Sequence, residues 1–281
     1  MNFSFPVKLI EFLNEHKINT VCWVASALTL VSGLGTFDTV RPAYLRTVAF
    51  SSEVFSPVQY NLWRSVLPEA RFINLYGPTE CTGISCYYEV SGLIGTEEAI
   101  PIGRPFKNTD ILLLDEEKKP VKPGEPGEIC VRGTALTLGY YKNPEKTAES
   151  FIQNPLNELY PELIYLTGDI GKYNADGELV FVSRKDYQVK HMGYRIELGE
   201  IEAAGCSMEG VSMAACIYDK ENKKIVLFYT GSVEENTLPD YLKSKLPRYM
   251  LPAVIHKLEA MPRTLNGKID RLALANQINT Y

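Results

Sequence analysis

The sequence predicts a chain of α/β and α+β character in three parts: a partial αβ sheet subdomain over residues 1–95, a small distorted β-barrel over 96–185 and a hinged C-terminal α+β domain over 186–281. Three observations support this division. Helical and β-rich segments alternate in the first part, short β runs between Pro and Gly turns fill the second, and a new α+β pattern begins after the charged run 184–186. Alternation of helices and strands favours a parallel sheet.

The first part is predicted to contain helix–strand units that deliver a polar loop. The predicted elements are helix 7–16, strand 20–24, strand 47–50, a helix from Pro57 and strand 72–76. In sheets of this kind ligands bind beyond the carboxyl ends of the strands. We therefore expect segment 76–80, which follows the last of these strands, to lie at a site.

The second and third parts differ in the length and type of their elements. The predicted strands of the barrel are 83–90, 110–114, 128–132 and 178–182. One helix interrupts them, with Asn143 as its N-cap, Pro144 in its first position and Glu145 in its first turn. The third part is predicted as strand 187–190, helix 197–204, strand 213–218, a second strand after the charged hairpin 219–224, helix 238–246, strand 253–258 and a final helix.

Composition restricts the partners and the compartment. The net charge of −5 comes without an arginine-rich block, which disfavours nucleic acid and favours a small ligand. The 6 cysteines form no C-x-x-C pair and have apolar neighbours, as reduced thiols of a cytoplasmic protein do. The apolar run 21–31 is interrupted by Ser26 and Thr29 and is too short to span a membrane. The 3 histidines are too few for a metal cluster.

Two polar motifs suggest nucleotide chemistry. In Tyr76-Gly77-Pro78-Thr79-Glu80, a hydroxyl and a carboxylate follow a Gly-Pro turn, and such groups can hold a phosphate oxygen and a hard cation such as Mg²⁺. In the segment 266–271, Lys268 offers a mobile positive charge for an anionic acyl phosphate transition state. Taken alone, each motif is equally compatible with a solvated loop.

Four further segments make the signal specific. They are 127–129 with 139–140, 165–169, 183–186 and 193–202. With the two motifs above, in this order, the chain resembles the C-terminal half of adenylate-forming (AMP-binding) enzymes. This superfamily includes nonribosomal peptide adenylation domains, D-alanine carrier protein ligases, acyl-CoA synthetases and luciferases. Segments 195–202 and 266–271 look like the amino-acid-activating branch, and 52–54, 74–80 and 193–195 are similar to D-alanine:D-alanyl carrier protein ligase.

The resemblance implies ATP or AMP and Mg²⁺ as ligands and gives each motif residue a role. The nucleotide would be bound by Asn74, Tyr76, Gly77, Thr79, Asp169 and Arg184. Tyr76 would stack on adenine, Asn74 would contact its polar edge, and Thr79 would bind phosphate. Asp169 would accept both ribose hydroxyls and Arg184 would hold the ribose from the other side. Glu80 would hold Mg²⁺, and Lys268 would bridge the substrate carboxylate and the α-phosphate, so that Thr79, Glu80 and Lys268 form the catalytic set.

Further residues are assigned by the same resemblance. Asp186 lies where the family has its hinge, although the charged run 184–186 would otherwise be interpreted as an exposed turn. The loop containing Gly193, Tyr194 and Arg195 would serve thioester formation. Ser51 and Ser52 would line the substrate pocket. They stand where the D-alanine ligases have Cys-Gly, and Ser183 replaces the usual glycine before Arg184, so the sequence leaves the substrate open.

The Ser/Thr/Gly-rich loop that cradles the β- and γ-phosphates in the family has no counterpart in this sequence. We therefore expect a fragment or one half of a split enzyme that adenylates slowly alone. We also expect its apolar segment 21–31 to be exposed for a missing N-terminal half or for self-association. Three function classes follow: an amino-acid adenylating ligase, D-alanine being one candidate substrate, that loads a phosphopantetheinyl carrier protein; an acyl-CoA synthetase relative; and a non-catalytic nucleotide-binding fragment.

Overall fold

The computed structural model describes residues 5–191, 194–234, 236–264 and 267–278, with the main chain alone at Asp186, Gln188, Lys190 and Arg195. The chain forms two compact units. Unit 1 comprises residues 1–72, 91–100 and 187–281, and unit 2 comprises 73–90 and 101–186. The sequence-based boundaries at 95 and 185 stay predictions, as does the mobility of 186–281, because one arrangement of the chain tests neither.

The described chain has eight helices and fifteen strands besides short 3₁₀ turns. The helices are α1 (Pro6–Glu15), α2 (Ala25–Gly33), α3 (Thr36–Thr39), α4 (Pro57–Val66), α5 (Pro144–Ser150), α6 (Leu198–Cys206), α7 (Thr237–Lys245) and α8 (Arg271–Ile278). The strands are β1 (Thr20–Val24), β2 (Thr47–Ser51), β3 (Arg71–Tyr76), β4 (Cys86–Val90), β5 (Arg104–Pro105), β6 (Thr109–Leu114), β7 (Gly127–Gly133), β8 (Phe151–Gln153), β9 (Leu163–Tyr173), β10 (Leu179–Arg184), β11 (Gln188–His191), β12 (Tyr194–Glu197), β13 (Val211–Asp219), β14 (Lys224–Gly231) and β15 (Val254–Lys257).

The N-terminal part of unit 1 confirms the predicted alternation of helices and parallel strands. β1 pairs with β2 in parallel and in register, so that Val24 at the end of β1 lies opposite Ser51 at the end of β2. α4 begins at Pro57 because proline fits the first helical position, where no hydrogen-bond donor is needed. Trp63 of this helix is fully buried and donates its indole N–H to the carbonyl of Leu28.

The expectation that segment 21–31 is exposed is met only in part, since β1 is the outermost described strand of its sheet and Cys22 is exposed, but other apolar side chains of the segment are buried. Val21, Ala25, Leu28 and Val31 are all buried within unit 1. The segment is not one strand but the end of β1 followed by α2, and this helix places its apolar side chains against α4 and its neighbours. Part of the apolar surface that we expected to attract a partner is therefore covered by the chain itself.

The C-terminal part of unit 1, residues 187–281, has a hydrophobic core of its own. Antiparallel β13–β14 and parallel β14–β15 form a three-stranded sheet, and α6 packs on β13. The fully buried Ile201, Leu227 and Leu238 belong to one core cluster, all of whose members lie in this part. The predicted α+β character is confirmed, and the charged hairpin 219–224 joins β13 to β14 as expected.

Unit 2 is largely antiparallel β-structure. Its main sheet has the strand order β10-β9-β7-β6, and the short strand β8 pairs with part of β9 in addition. Three of the predicted barrel strands correspond to β6, β7 and β10 of this curled sheet, whose long central strand β9 was not predicted. The predicted barrel strand 83–90 corresponds to β4, which pairs with β5 in a different sheet. α5 confirms the predicted cap, because the Asn143 side chain accepts a hydrogen bond from the main-chain nitrogen of Lys146.

Candidate functional site

The loop after β3 is shaped by a close backbone approach that only glycine permits. A Cβ atom on Gly77 would lie 2.4 Å from the carbonyl oxygen of Gly83 and 2.5 Å from the nitrogen of Ser85. The adjacent Ser85 nitrogen donates to the Tyr76 carbonyl at 2.7 Å and closes the loop. Between these points the chain makes a short 3₁₀ turn, Thr79–Cys81. The requirement for glycine here is therefore steric.

The 3₁₀ turn presents the two predicted phosphate and metal ligands. The Thr79 side chain is exposed, and no described residue makes a hydrogen bond to its hydroxyl. Glu80 is half-buried and accepts a 2.6 Å hydrogen bond from the Tyr140 hydroxyl through Oε1. Its main-chain carbonyl accepts from the nitrogen of Thr137 at 2.8 Å. The carboxylate is thus held in one orientation from the segment that precedes α5.

The charge of Glu80 follows from its surroundings. Burial alone would raise the pKa of this carboxyl group, but hydrogen bonds from Tyr140, from the main chain and from Tyr165, together with the positive charge of Arg184, outweigh it and lower the pKa below its usual value. Burial, followed by hydrogen bonding with Tyr140 and the charge of Glu80, raises the pKa of Tyr165. The result is an ionised carboxylate that faces the neutral phenol of Tyr165.

Asp169 projects from a bulge in the middle of β9. Against β7, Glu128 pairs with Ile170 and Cys130 pairs with Leu166, so that three residues of β9, 167–169, face Ile129 alone. Bulges of this kind redirect a side chain out of the regular pleat. The turn is fixed by Thr167, whose hydroxyl donates to the Ile129 carbonyl at 2.7 Å and accepts from the Asp169 nitrogen at 2.9 Å.

Both oxygens of Asp169 are held by neighbouring side chains. The Tyr76 hydroxyl donates to Oδ2 at 2.7 Å, and Nη1 of Arg184 donates to Oδ1 at 2.8 Å. Arg184 is opposite Asp169 in the pairing of β10 with β9. Burial, followed by the negative charge of Asp169, raises the pKa of Tyr76 well above its usual value, so the phenol stays protonated and donates. We call Tyr76, Asp169 and Arg184 the carboxylate cluster.

A second carboxylate, that of Glu128, stabilises the turn beside this cluster. The buried Glu128 accepts a hydrogen bond from the nitrogen of Gly168 at 3.2 Å through Oε1. Its other oxygen lies 2.9 Å from Nζ of Lys118 and 3.5 Å from Nζ of Lys185. Gly168 has a φ of +70°, a conformation that favours glycine, and Glu128 therefore stabilises the turn that carries Asp169.

Asn74 is held by the chain itself. It is buried, and its side-chain nitrogen donates to the carbonyl of Pro101 at 2.8 Å. A contact of Asn74 with adenine stays a prediction. A groove of about 660 Å³ in the same unit lies between the segments 111–125 and 173–177, with Leu156, and shares no lining residue with the carboxylate cluster. This groove is therefore separate from the residues predicted to bind the nucleotide.

Lys268 belongs to unit 1, in a hairpin closed by an antiparallel bridge between Arg263 and Ile269. It is exposed, and its ammonium group has no partner among the described residues. Gly267 has a φ of +83°, and its nitrogen donates to the Thr264 carbonyl at 2.9 Å. Lys268 thus directly follows a glycine in the left-handed conformation.

The other predicted site residues of unit 1 lie in two places. Ser51 ends β2, and its hydroxyl is 3.4 Å from that of Ser52, which has a φ of +72°. Tyr194 is half-exposed and stacks on Tyr249 with ring centroids 4.1 Å apart. Gly193 of the predicted thioester-step loop lies outside the described residues, as do the side chains of Arg195 and of the predicted hinge residue Asp186.

Sequence reasoning named the motifs of Tyr140, Tyr165, Glu128 and Glu53 but gave these residues no role. The structure gives each a contact: Tyr140 and Tyr165 surround Glu80, Glu128 supports Gly168, and Glu53 accepts from the nitrogens of Ser26 and Ile269. The only indication in the sequence that these residues have a role was their position within the polar motifs. Their partners lie far away in the sequence and could not be paired without the fold.

The described residues contain no group of three or more His, Cys, Asp or Glu side chains that could hold a metal ion. The role of Glu80 as a metal ligand stays a prediction. Within the described parts of the chain, no helix has the length and apolar character needed to cross a membrane.

Comparisons with known proteins identify relatives across nearly the whole chain. A family described as AMP-binding enzyme matches residues 2–141. Bacitracin synthase 1 of Bacillus licheniformis is 36% identical over 272 residues, which cover 95% of this chain and 5% of that protein. Tyrocidine synthase 1 of Brevibacillus parabrevis is 39% identical over 269 residues, which cover 94% of this chain and 24% of that protein. The chain thus spans only a small part of each of these relatives.

Solved structures agree with the fold. A four-domain nonribosomal peptide synthetase, holo-AB3403, bound to AMP and glycine, is similar with a TM-score of 0.80 and 30% identity over 96% of this chain and 20% of that chain. NpsA of Klebsiella oxytoca in complex with 3-hydroxyanthranilyl-AMSN gives a TM-score of 0.85 at 24% identity, over 98% of this chain and 56% of that chain. The second likeness concerns the fold alone.

Proposed function

The chain belongs to the AMP-binding enzyme family of adenylate-forming ligases, and on this premise we propose that it serves the ATP-dependent adenylation of an amino acid. In this reaction a carboxylate oxygen of the amino acid bonds to the α-phosphorus of ATP. The bond from that phosphorus to the bridging oxygen breaks, and pyrophosphate leaves with the electron pair. Most of the catalysis is positioning and charge neutralisation.

The carboxylate cluster is the observation that carries this proposal. Each oxygen of Asp169 accepts a hydrogen bond, from Tyr76 or from Arg184, and a carboxylate oxygen has lone-pair capacity for a further donor. Two fixed acceptor oxygens on one carboxylate match the two adjacent hydroxyls of a ribose. Arg184 would then hold the ribose from the other side. The ring of Tyr76 would stack on adenine, and Asn74 would contact the polar edge of the base. Gly77 would allow the close backbone approach that shapes this loop.

Thr79 and Glu80 are proposed to meet the phosphates. A ligand set with one ionised carboxylate fits Mg²⁺, which keeps several waters and is commonly held by one or two carboxylates and the substrate phosphates. The lowered pKa of Glu80 is consistent with this role, since it keeps the carboxyl group charged. Bound there, Mg²⁺ would neutralise phosphate charge, while the exposed Thr79 hydroxyl would donate to a phosphate oxygen.

Lys268 is proposed to bridge the substrate carboxylate and the α-phosphate. Its exposed ammonium group, unpaired among the described residues, can approach a developing negative charge, because lysine acts as a mobile point charge. In the second step a phosphopantetheine thiol of a carrier protein would attack the acyl carbonyl, and AMP would leave. The loop of Gly193, Tyr194 and Arg195 would serve this step after rotation about Asp186.

The substrate and the compartment belong to the same proposal. Ser51 and Ser52 at the end of β2 would line the amino-acid pocket, and D-alanine is one candidate substrate, because segments 52–54, 74–80 and 193–195 are similar to D-alanine:D-alanyl carrier protein ligase. All six cysteines are free in the structure, which is consistent with a reducing cytoplasm.

Calorimetry with AMP tests the proposal directly. Asp169→Asn keeps the shape of the side chain but removes the charge and one acceptor, and we expect AMP affinity to fall by about tenfold to a hundredfold. Asp176→Asn, at an exposed turn between β9 and β10, is the matched control and should bind as the wild type does. Equal affinity in both variants would contradict the ribose role of Asp169.

Product analysis separates the three function classes. An amino-acid ligase should catalyse amino-acid-dependent pyrophosphate exchange and load a phosphopantetheinyl carrier protein. A CoA synthetase relative should instead transfer its acyl group to free CoA. A non-catalytic fragment should bind AMP and do neither, and this result would refute the enzymatic proposal.

A further inference from the structure

The main chain on both sides of Lys268 is held by residues from the N-terminal part of unit 1. The carbonyl of Gly267 accepts a 3.0 Å hydrogen bond from the Ser26 hydroxyl. The nitrogen of Ile269 donates to Oε1 of Glu53 at 3.3 Å. Lys268 lies between these two anchored residues, and its own side chain is exposed. The backbone of the lysine is thus constrained while its ammonium group stays available.

These contacts form one connected set. Glu53 also accepts from the nitrogen of Ser26 at 2.9 Å through Oε2, so both carboxylate oxygens are engaged. Arg263 donates to the Gly267 carbonyl at 2.8 Å and to the Ser26 carbonyl at 3.3 Å. Ser26 therefore contacts the hairpin directly through its hydroxyl and its carbonyl, while its nitrogen donates to Glu53. Replacing Glu53 would therefore remove the hydrogen bond from the Ser26 nitrogen as well as the one from the Ile269 nitrogen.

The parallel pairing of β1 and β2 explains why Glu53 and Ser26 lie together. Val24, the last residue of β1, is opposite Ser51, the last residue of β2. Ser26 is in the first turn of α2, whose nitrogens have no partners within the helix, and the N-cap residue Val24 makes no side-chain hydrogen bond. The left-handed conformation of Ser52 turns the chain so that the carboxylate of Glu53 reaches this helix end.

We propose that Glu53, acting with Ser26, is the latch that positions the Lys268 hairpin for adenylation. Glu53 is a positioning residue, since it contacts the main chain beside Lys268 and not the reacting atoms. The latch consists of side-chain contacts to main-chain groups of the hairpin, a few hydrogen bonds that can form and break reversibly. This inference rests on the proposed role of Lys268 and adds the residue that holds it in place.

Hydrogen–deuterium exchange of the unliganded chain tests the latch without any activity. In Glu53→Gln a single acceptor oxygen cannot serve both nitrogens, and we expect the amides of 267–270 to exchange about tenfold to a hundredfold faster. Glu69→Gln, an exposed carboxylate of the same unit, is the matched control. Ser26→Ala removes the hydroxyl but keeps the main-chain contact, and it should give a smaller increase. Unchanged exchange in both Glu53→Gln and Ser26→Ala would overturn the latch.

Pyrophosphate exchange then asks whether the latch serves Lys268. Glu53→Gln should lower kcat by about tenfold or more and leave the KM for ATP nearly unchanged, because the groups proposed to bind the nucleotide are intact. Transfer from preformed aminoacyl adenylate to the carrier thiol should keep its wild-type rate. A normal kcat with a loosened hairpin would overturn the positioning role. If the wild type itself shows no exchange, the proposed function fails, while the deuterium measurement still decides the latch.

Discussion

The Tyr76 hydroxyl donates a 2.7 Å hydrogen bond to Oδ2 of Asp169, a residue 93 positions further along the chain. The partners come from the loop after β3 and from the bulge of β9. Arg184 holds the other oxygen of the same carboxylate. The contact joins two sequence motifs that had been assigned separate tasks, adenine stacking and ribose binding, and makes them one structural unit.

Tyr76→Phe separates these tasks. The variant keeps the aromatic ring but removes the donor to a charged acceptor, and we expect the free energy of unfolding to fall by about 1–3 kcal/mol. AMP affinity should fall less than in Asp169→Asn, because the ring remains for stacking. Urea denaturation and calorimetry measure the two effects. Tyr141→Phe, at an exposed tyrosine, is the control and should leave both quantities unchanged.

Gly77→Ala tests the close approach in the same loop. The added Cβ would overlap main-chain atoms of Gly83 and Ser85, which cannot rotate away, so we expect a loss of about 1–3 kcal/mol in the free energy of unfolding. In Gly95→Ala the new Cβ would meet atoms of the Glu98 side chain at 3.1 Å, and this flexible side chain can move. Thermal denaturation should therefore separate the two variants. Equal melting temperatures would contradict the steric explanation.

We predict that Glu80 makes a pH-dependent contribution to the free energy of unfolding. Its pKa is lowered in the folded chain, so its ionised form stabilises the fold above the ordinary pKa of 4.5, and the contribution is lost as the pH falls through the folded-state pKa. We expect the wild type to exceed Glu80→Gln in free energy of unfolding at pH 7 and the difference to shrink in acid. Denaturation curves at several pH values measure this difference, with Glu125→Gln, at an exposed carboxylate of the same unit, as the comparison variant.

We predict that Arg271, at the end of the 266–271 motif, has a structural role. It forms a two-pronged ion pair with Glu202, at 2.6 Å and 2.9 Å, and also donates to the Cys216 carbonyl at 3.1 Å. The pair is mostly buried, and Arg271→Ala should destabilise the chain by about 2–3 kcal/mol. The control Lys243→Ala breaks an exposed pair with Asp240 and should cost less than about 1 kcal/mol. A similar loss in both variants would argue against the role of Arg271.

The sequence by itself determined the family and many of the elements, but it predicted neither α2 nor the long strand β9. Strands such as Thr20–Val24 and the Asn143 cap were predictable because local spacing and turn chemistry set them. The polar motifs, in their order along the chain, resemble those of AMP-binding enzymes, and the comparisons with known proteins show that the chain belongs to this family. Apolar pattern alone was insufficient for segment 21–31, where α2 buries the side chains that we expected to be exposed.

Tertiary structure decided which polar groups meet. The bulge that turns Asp169 toward Tyr76 depends on the register between β7 and β9, which no local pattern reveals. Glu53 reaches Ser26 and Ile269 because two parallel strands end side by side and a hairpin more than two hundred residues later returns to them. Hydrogen bonds act over about 3 Å, whereas sequence patterns report only near neighbours along the chain. Long-range polar contacts are therefore set by the fold.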